Sequence, residues 1–258
     1  MKLGFSPLTA GLSYLKSFDL AAQLGLFLEI AYDQHEMDPR LPGARELAEM
    51  ARAAGVGFTL HLPFVDWNIA SLVPPMRRLS LERTQRAIAF GAEIGAACGV
   101  LHTGLVPLRL PEAVAHAQQL INEALERLEL AIPVALENLG LSAKPICWKP
   151  PADLAEPCWR PTLGMASVWT WGTPLSSAAP AARKTYHRLA GPAACFIFTC
   201  TTTTATRTIT CPAAWVRWTG PGCGGRWEGF AGTAALEVTG GEAGVRQSVA
   251  LLLGKNLD

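Results

Sequence analysis

Short apolar runs separate longer stretches in which apolar residues return every three or four positions, and this exchange of periods recurs through the first 140 residues. The runs predict strands at residues 2–6, 26–30, 57–64, 100–104 and 133–138. Between them, helical spacing predicts helices over 17–24, 41–54, 80–94 and 111–130. Ala21, Ala22 and Leu24 mark the apolar side of the first helix; Val114, Ala117, Ile121, Ala124, Leu125 and Leu128 mark that of the fourth. Gly55 is placed to close the second helix. Ser80 is placed to cap the third, with Glu82 in its first turn, where a negative charge suits the helix dipole. Strands that alternate with helices in this way are the signature of βα units feeding a parallel sheet. Near the other end, residues 233–238 (TAALEV) read as a strand and 244–253 as a closing helix. The expected fold is α/β, a (β/α)8 TIM barrel formed as one domain over residues 1–258. A barrel of this kind takes ~250 residues, and the middle of the chain should supply the missing strands.

That middle departs from the pattern. Between Pro157 and Trp227 the chain runs 71 residues without an Asp or Glu, whereas the first 156 residues carry 17 acids. From Cys147 onward the same region holds six of the seven Cys and seven of the eight Trp. Stretches such as TTTTATRTIT and CGGRW follow neither period, so the barrel is expected to be irregular or incomplete over 143–226.

Half of the residues are apolar, enough for a sizeable core, and no apolar run reaches the ~18–20 residues that span a bilayer. The opening MKLGFSPLTAGLSYLK lacks the long apolar segment of a signal peptide, so cytoplasm is the expected location. A net charge of +1 argues against a dominant electrostatic attraction to nucleic acid or membrane.

In such barrels the active site lies at the C-terminal ends of the strands. His61, His102, Glu137 and Glu237 fall at or near the ends of the third, fourth, fifth and last predicted strands. Converging imidazoles and carboxylates can bind a divalent metal. A lone strand-end histidine is more often a hydrogen-bonded structural residue, whereas a carboxylate inside an apolar strand is costly unless paired or metal-bound. Glu137 and Glu237 are therefore read as functional, and Glu29 as a substrate-facing or supporting group. His35, His116 and His187 have no comparable placement, and His116 belongs to a solvated helix face.

HLPFVDWNIAS, followed by RRLSLERTQRAIAFGAEIGA and VLHTG, then VALENLG and GTAALEV, resembles the sugar phosphate isomerase/epimerase group of the xylose-isomerase-like barrels, a superfamily that includes endonuclease IV. The resemblance covers residues 1–142 and roughly 228–253. It implies one divalent metal ion (Mn, Mg, Co or Zn) held through Glu, Asp, His and Glu, with Glu137 and Glu237 at the two Glu positions and as acid and base. His61 and His102 would orient substrate or help bind metal. Glu29, His61, Trp67, Asn68 and His102 are the expected substrate contacts, with Phe64 and Trp67 either as walls for a sugar ring or as packing. The implied partner is a small-molecule sugar, with no membrane, and a homo-oligomer is compatible with the resemblance. The alternative is an endonuclease IV-like phosphodiesterase acting on abasic-site DNA, the one reading that brings in nucleic acid. His61 and His102 match its metal-histidine positions, although the chain lacks a concentration of Lys and Arg for phosphate contacts.

The group next shows LDxGH, HxHD and D-x-H motifs, which are absent here as written. Read two bases later, codons for residues 168–173 can encode Leu-Asp-Val-Gly-His, and those for 195–206 can encode Leu-His-Leu-His-Leu-His-Asp-Asn-His-Gly-Asp. Much of 143–226 therefore reads as local out-of-frame translation, with the metal-binding Asp encoded across residues 169–170 and the His across 198–199. On that reading the printed chain can also be an inactive product of a disrupted gene; the other reading of the segment is a genuine Thr/Trp/Cys-rich insertion. Peptide mass spectrometry of the expressed protein across residues 143–227 is expected to recover acidic peptides in place of CFIFTCTTTTATR. Clean detection of CFIFTCTTTTATR would establish the printed segment as the translated one.

Overall fold

Among the described residues, eight short strands define the architecture. The computed structural model describes residues 2–102, 104–105, 110–138, 165–169, 195–198 and 233–253. In chain order these are β1 (Lys2–Phe5), α1 (Pro7–Ala10), α2 (Tyr14–Leu24), β2 (Phe27–Ala31), α3 (Tyr32–Met37), α4 (Ala44–Ala54), β3 (Phe58–His61) and α5 (Pro74–Glu93). There follow β4 (Gly99–His102), α6 (Pro111–Arg127), β5 (Val134–Asn138), β6 (Met165–Trp169), β7 (Cys195–Phe198), β8 (Thr233–Leu236) and α7 (Gly241–Leu253). One sheet holds all eight strands in the order β6-β5-β4-β3-β2-β1-β8-β7. The end strands β6 and β7 lie against each other, so the sheet curls toward a TIM barrel with its seam between them.

Strand alternation explains why both faces of the sheet are apolar. Leu28 and Ile30 of β2, Leu60 of β3 and Leu236 of β8 join the layer packed by the helices, with Leu47 of α4 and Ile88 of α5. Phe27, Val100, Ala135 and Ala235 belong to a second, separate cluster on the opposite face. Most of those inner residues are small, and Phe27 fills the space they leave. It can do so because its register partner on β1 is Gly4: a Cβ at Gly4 would collide with the Phe27 ring.

Several boundaries differ from the sequence expectation for identifiable reasons. β3 stops at His61 because Pro63 has no N–H to continue the ladder, although the Leu62 amide still bonds Val100 O at 2.9 Å. Ser80 is not an N-cap, and Glu82 is not in a first turn. α5 opens at Pro74, where Pro at the first turn lacks an N–H that would be unsatisfied anyway, and Ser80 is buried inside the helix. Gly55 does close α4, with φ of 66° in the left-handed region that a side chain disfavours. The short helices α1 and α3 carry no period that the sequence could reveal. Residues 165–169 and 195–198 supply β6 and β7, while the rest of 139–232 lies outside the described residues, including His187 and the shifted motifs beyond residues 169 and 198.

His35 of α3 is packed between Tyr14 and Phe90, with ring centroids 5.5 and 5.0 Å away, and its Nε2 shares a 3.1 Å hydrogen bond with the Tyr14 hydroxyl. Burial pushes the His35 pKa below its ordinary value and the Tyr14 hydroxyl above its own. His116 is exposed, as its helix position suggested. No described helix is long and apolar enough to cross a membrane.

Two outcomes follow from this packing. Gly4→Ala should destabilise the protein by about 1–3 kcal/mol in urea unfolding, and Phe27→Leu in the same chain should recover part of that loss; an unchanged midpoint in Gly4→Ala would contradict the tight contact. Because His35 is held neutral in the folded state, its contribution is complete above about pH 6.5 and is lost as pH falls, when the unfolded chain takes up the proton more readily. The fall in urea midpoint between about pH 7.5 and 5.5 should accordingly be shallower in His35→Gln than in the parent, and equal slopes would remove His35 as a source of acid sensitivity.

Candidate active site

Histidines and glutamates of the described residues occupy positions at the C-terminal ends of the strands. His61 ends β3, His102 ends β4, Glu137 is the penultimate residue of β5, and Glu237 directly follows β8. His102 and Glu137 are register partners on adjacent strands. Deeper in β2, Glu29 is fully buried and pairs in register with Thr59 of β3. The Thr59 hydroxyl is buried too and finds no hydrogen-bond partner among the described residues.

His61 and His102 meet edge to face, with ring centroids 4.8 Å apart and planes at 78°. Phe64, just beyond β3, packs on both, at 4.7 Å from His61 and 5.7 Å from His102. His61 is buried, and its Nδ1 lies 2.9 Å from the Leu62 carbonyl oxygen. A carbonyl oxygen can only accept, so Nδ1 carries the proton. Among the described residues no three His, Cys, Asp or Glu side chains converge as a metal cluster.

The wall bearing Phe64 is the β3–α5 loop, and one face of α5 holds it. Arg83 Nη1 donates to Val65 O at 3.0 Å, Ser80 Oγ accepts from Asn68 N at 3.0 Å, and Thr84 Oγ1 accepts from Trp67 Nε1 at 2.9 Å. Residues 80, 83 and 84 share a face because a helix brings positions three and four apart together. Asp66 within this loop takes φ of 49°, a left-handed conformation that Asp tolerates better than most residues. Asn68 ties the loop onward: its Oδ1 accepts from Ala70 N at 2.9 Å, and its Nδ2 donates to Leu105 O beyond β4 at 2.5 Å. Trp67 is buried with its indole N–H satisfied by Thr84; its contacts are those of packing.

Asp33 and Arg83 complete the wall from the other side, and the sequence reading passed over both. Asp33 Oδ2 accepts from Phe64 N at 2.8 Å and Val65 N at 3.1 Å, and its Oδ1 accepts from Arg83 Nη2 at 2.8 Å. Arg83 also donates to Glu36 Oε2 at 2.6 and 2.9 Å. Burial opposes the Arg83 charge, but the Glu36 and Asp33 carboxylates outweigh it and raise the Arg83 pKa. The available signal was an acid placed directly after an apolar strand, where a carboxylate would need a partner.

No curated protein matches the chain. Among solved structures, a D-psicose 3-epimerase determined with D-fructose aligns over 99% of this chain and 96% of its own, with a TM-score of 0.60 and 15% identity. A Thermus thermophilus protein soaked with ZnCl2 aligns over 98% of both chains at a TM-score of 0.55 and 19% identity. A D-tagatose 3-epimerase-like protein aligns at a TM-score of 0.56 and 22% identity over 66% of this chain; the chain spans 65% of that relative's length. These likenesses establish the fold. Residues 18–156, more than half of the chain, match the family described as xylose isomerase-like TIM barrel, and the chain belongs to that family.

Proposed function

We propose that the protein is a sugar or sugar phosphate isomerase or epimerase that moves a proton through an enediolate at the C-terminal mouth of the barrel. One observation carries this reading: the register places the Glu137 position beside His102, whose ring meets His61, while Glu237 follows the strand that pairs with β1. Support comes also from the epimerases among the structural relatives.

Carboxylate and imidazole donors at neighbouring strand ends are suitable ligand chemistry for one divalent cation (Mn, Mg, Co or Zn). Glu137 and Glu237 are the residues that would hold it, and His61 and His102 would orient the substrate or add to that set. Bound there, such a cation would polarise the carbonyl and adjacent hydroxyl of a ketose and lower the cost of removing the neighbouring proton. Each glutamate has two carboxylate oxygens, so one can bind the cation while the other takes or returns a proton. Acting from opposite faces of the sugar, the pair would epimerise; shuttling between adjacent carbons, one would isomerise. His61, His102, Glu29 and the Thr59 hydroxyl would receive sugar hydroxyls. Phe64 offers an apolar face to the ring, while Trp67 and Asn68 fix the loop that presents it.

A second reading rests on the paired imidazoles, which suit a phosphodiesterase of the endonuclease IV kind. Against it, Arg83, the basic side chain behind this wall, is already engaged by Asp33 and Glu36.

The test is a product assay on the full chain, stripped by a chelator and reconstituted with Mn or Co, using free and phosphorylated ketoses beside abasic-site DNA. The proposal expects a sugar epimer or aldose that appears only with metal, and a fall of about 10²–10⁴-fold in kcat for Glu237→Gln. Incision of the DNA without sugar turnover would favour the second reading, and neither product would mark the printed chain as inactive.

A further inference from the structure

We infer that Asp33 is a positioning residue for the two mouth histidines, acting through Phe64. It deepens the proposed active site, since it supposes that the His61–His102 mouth is where substrate binds. The side chain of Asp33 is 1% exposed, and its hydrogen bonds among the described residues go to neither imidazole. Its bonds instead fix two consecutive backbone amides, those of Phe64 and Val65. Holding both amides on one carboxylate oxygen fixes the backbone direction at Phe64, and with it the plane of the ring that packs on His61 and His102.

The arrangement is directional. Asp33 comes from the start of α3, directly after β2, so it links that strand end to the end of β3. Arg83 closes the link from α5, bonding the Asp33 carboxylate and the Val65 carbonyl together. The backbone of Val65 is thus gripped on its N–H by an anion and on its C=O by a cation. A buried carboxylate with three donors is far more rigid than a solvated one, because each donor it loses would stay unreplaced by water. The groups facing Asp33 are the Phe64 and Val65 amides and Arg83, with Glu36 on the far side of the guanidinium. The remaining loop ties through Ser80, Thr84 and Asn68 act further along, beyond residue 66. They leave the Phe64 peptide itself to Asp33.

The experiment follows the ring protons of His61 and His102 by NMR in the full chain, assigned with His61→Gln and His102→Gln. The Phe64 ring current shifts those protons, so they report its position without reference to activity. Phe64→Leu sets the size of that shift. Asp33→Asn should move each histidine toward its position in Phe64→Leu, and Asp33→Asn combined with Phe64→Leu should move them no further than Phe64→Leu alone. Arg83→Gln leaves the two amide bonds in place and should give a smaller shift of the same sign; it decides the matter if Asp33→Asn fails to fold. Histidine signals that stay fixed in Asp33→Asn, or in Arg83→Gln where only that variant folds, while moving in Phe64→Leu would overturn the inference, as would additive shifts in the double variant. Where ketose turnover is present, kcat/KM should fall about 10–100-fold in Asp33→Asn. Absence of turnover in the parent would defeat the proposed reaction and leave the histidine shifts to decide the role of Asp33.

Discussion

A strand buried on both faces can accommodate an imidazole or a carboxylate at its end far more cheaply than in its middle, because there the polar head reaches a cavity that water or a ligand can fill. This constraint orders the whole inner face. Phe27, Val100, Ala135 and Ala235 make an apolar floor, and His61 and His102 stand at strand ends above it. Glu29 is the departure: fully buried at mid-strand beside Thr59, it carries a polar group down into the interior.

The mouth depends on the wall beside it as well as on the strands. A ketose ring would need hydrogen-bonding groups on one side and a fixed apolar surface on the other, and Phe64 can supply the second only if its loop does not move. Two carboxylate-bonded amides at one end and three contacts with a single face of α5 along the rest hold that loop from both directions. Trp67, with its indole buried against Thr84, belongs to this scaffold.

Much of this was legible in the amino-acid pattern. The five early strands and the last were readable because apolar runs of strand length are bounded by helical spacing, and the strand-end positions of His61, His102, Glu137 and Glu237 followed from that alone. The start of α5 was missed because Ser80 looks like a cap, whereas Pro74 and Pro75 open the helix and the serine hydroxyl is used sideways, on Asn68. Asp33 and Arg83 were invisible because their partners are backbone groups and residues distant in sequence. No local period encodes a bond between residue 33 and the amides of 64 and 65. Strands β6 and β7 come from a stretch whose composition obscures any period.

The central claim is that Glu137 and Glu237 exchange a carbon-bound proton of a ketose at this mouth. Incubating the metal-loaded protein with a ketose in deuterated water, and reading deuterium at the carbons beside the carbonyl by mass spectrometry, tests it most directly. The account predicts incorporation into recovered sugar, lost when either glutamate becomes glutamine. Sugar that returns without deuterium from the parent protein would contradict it.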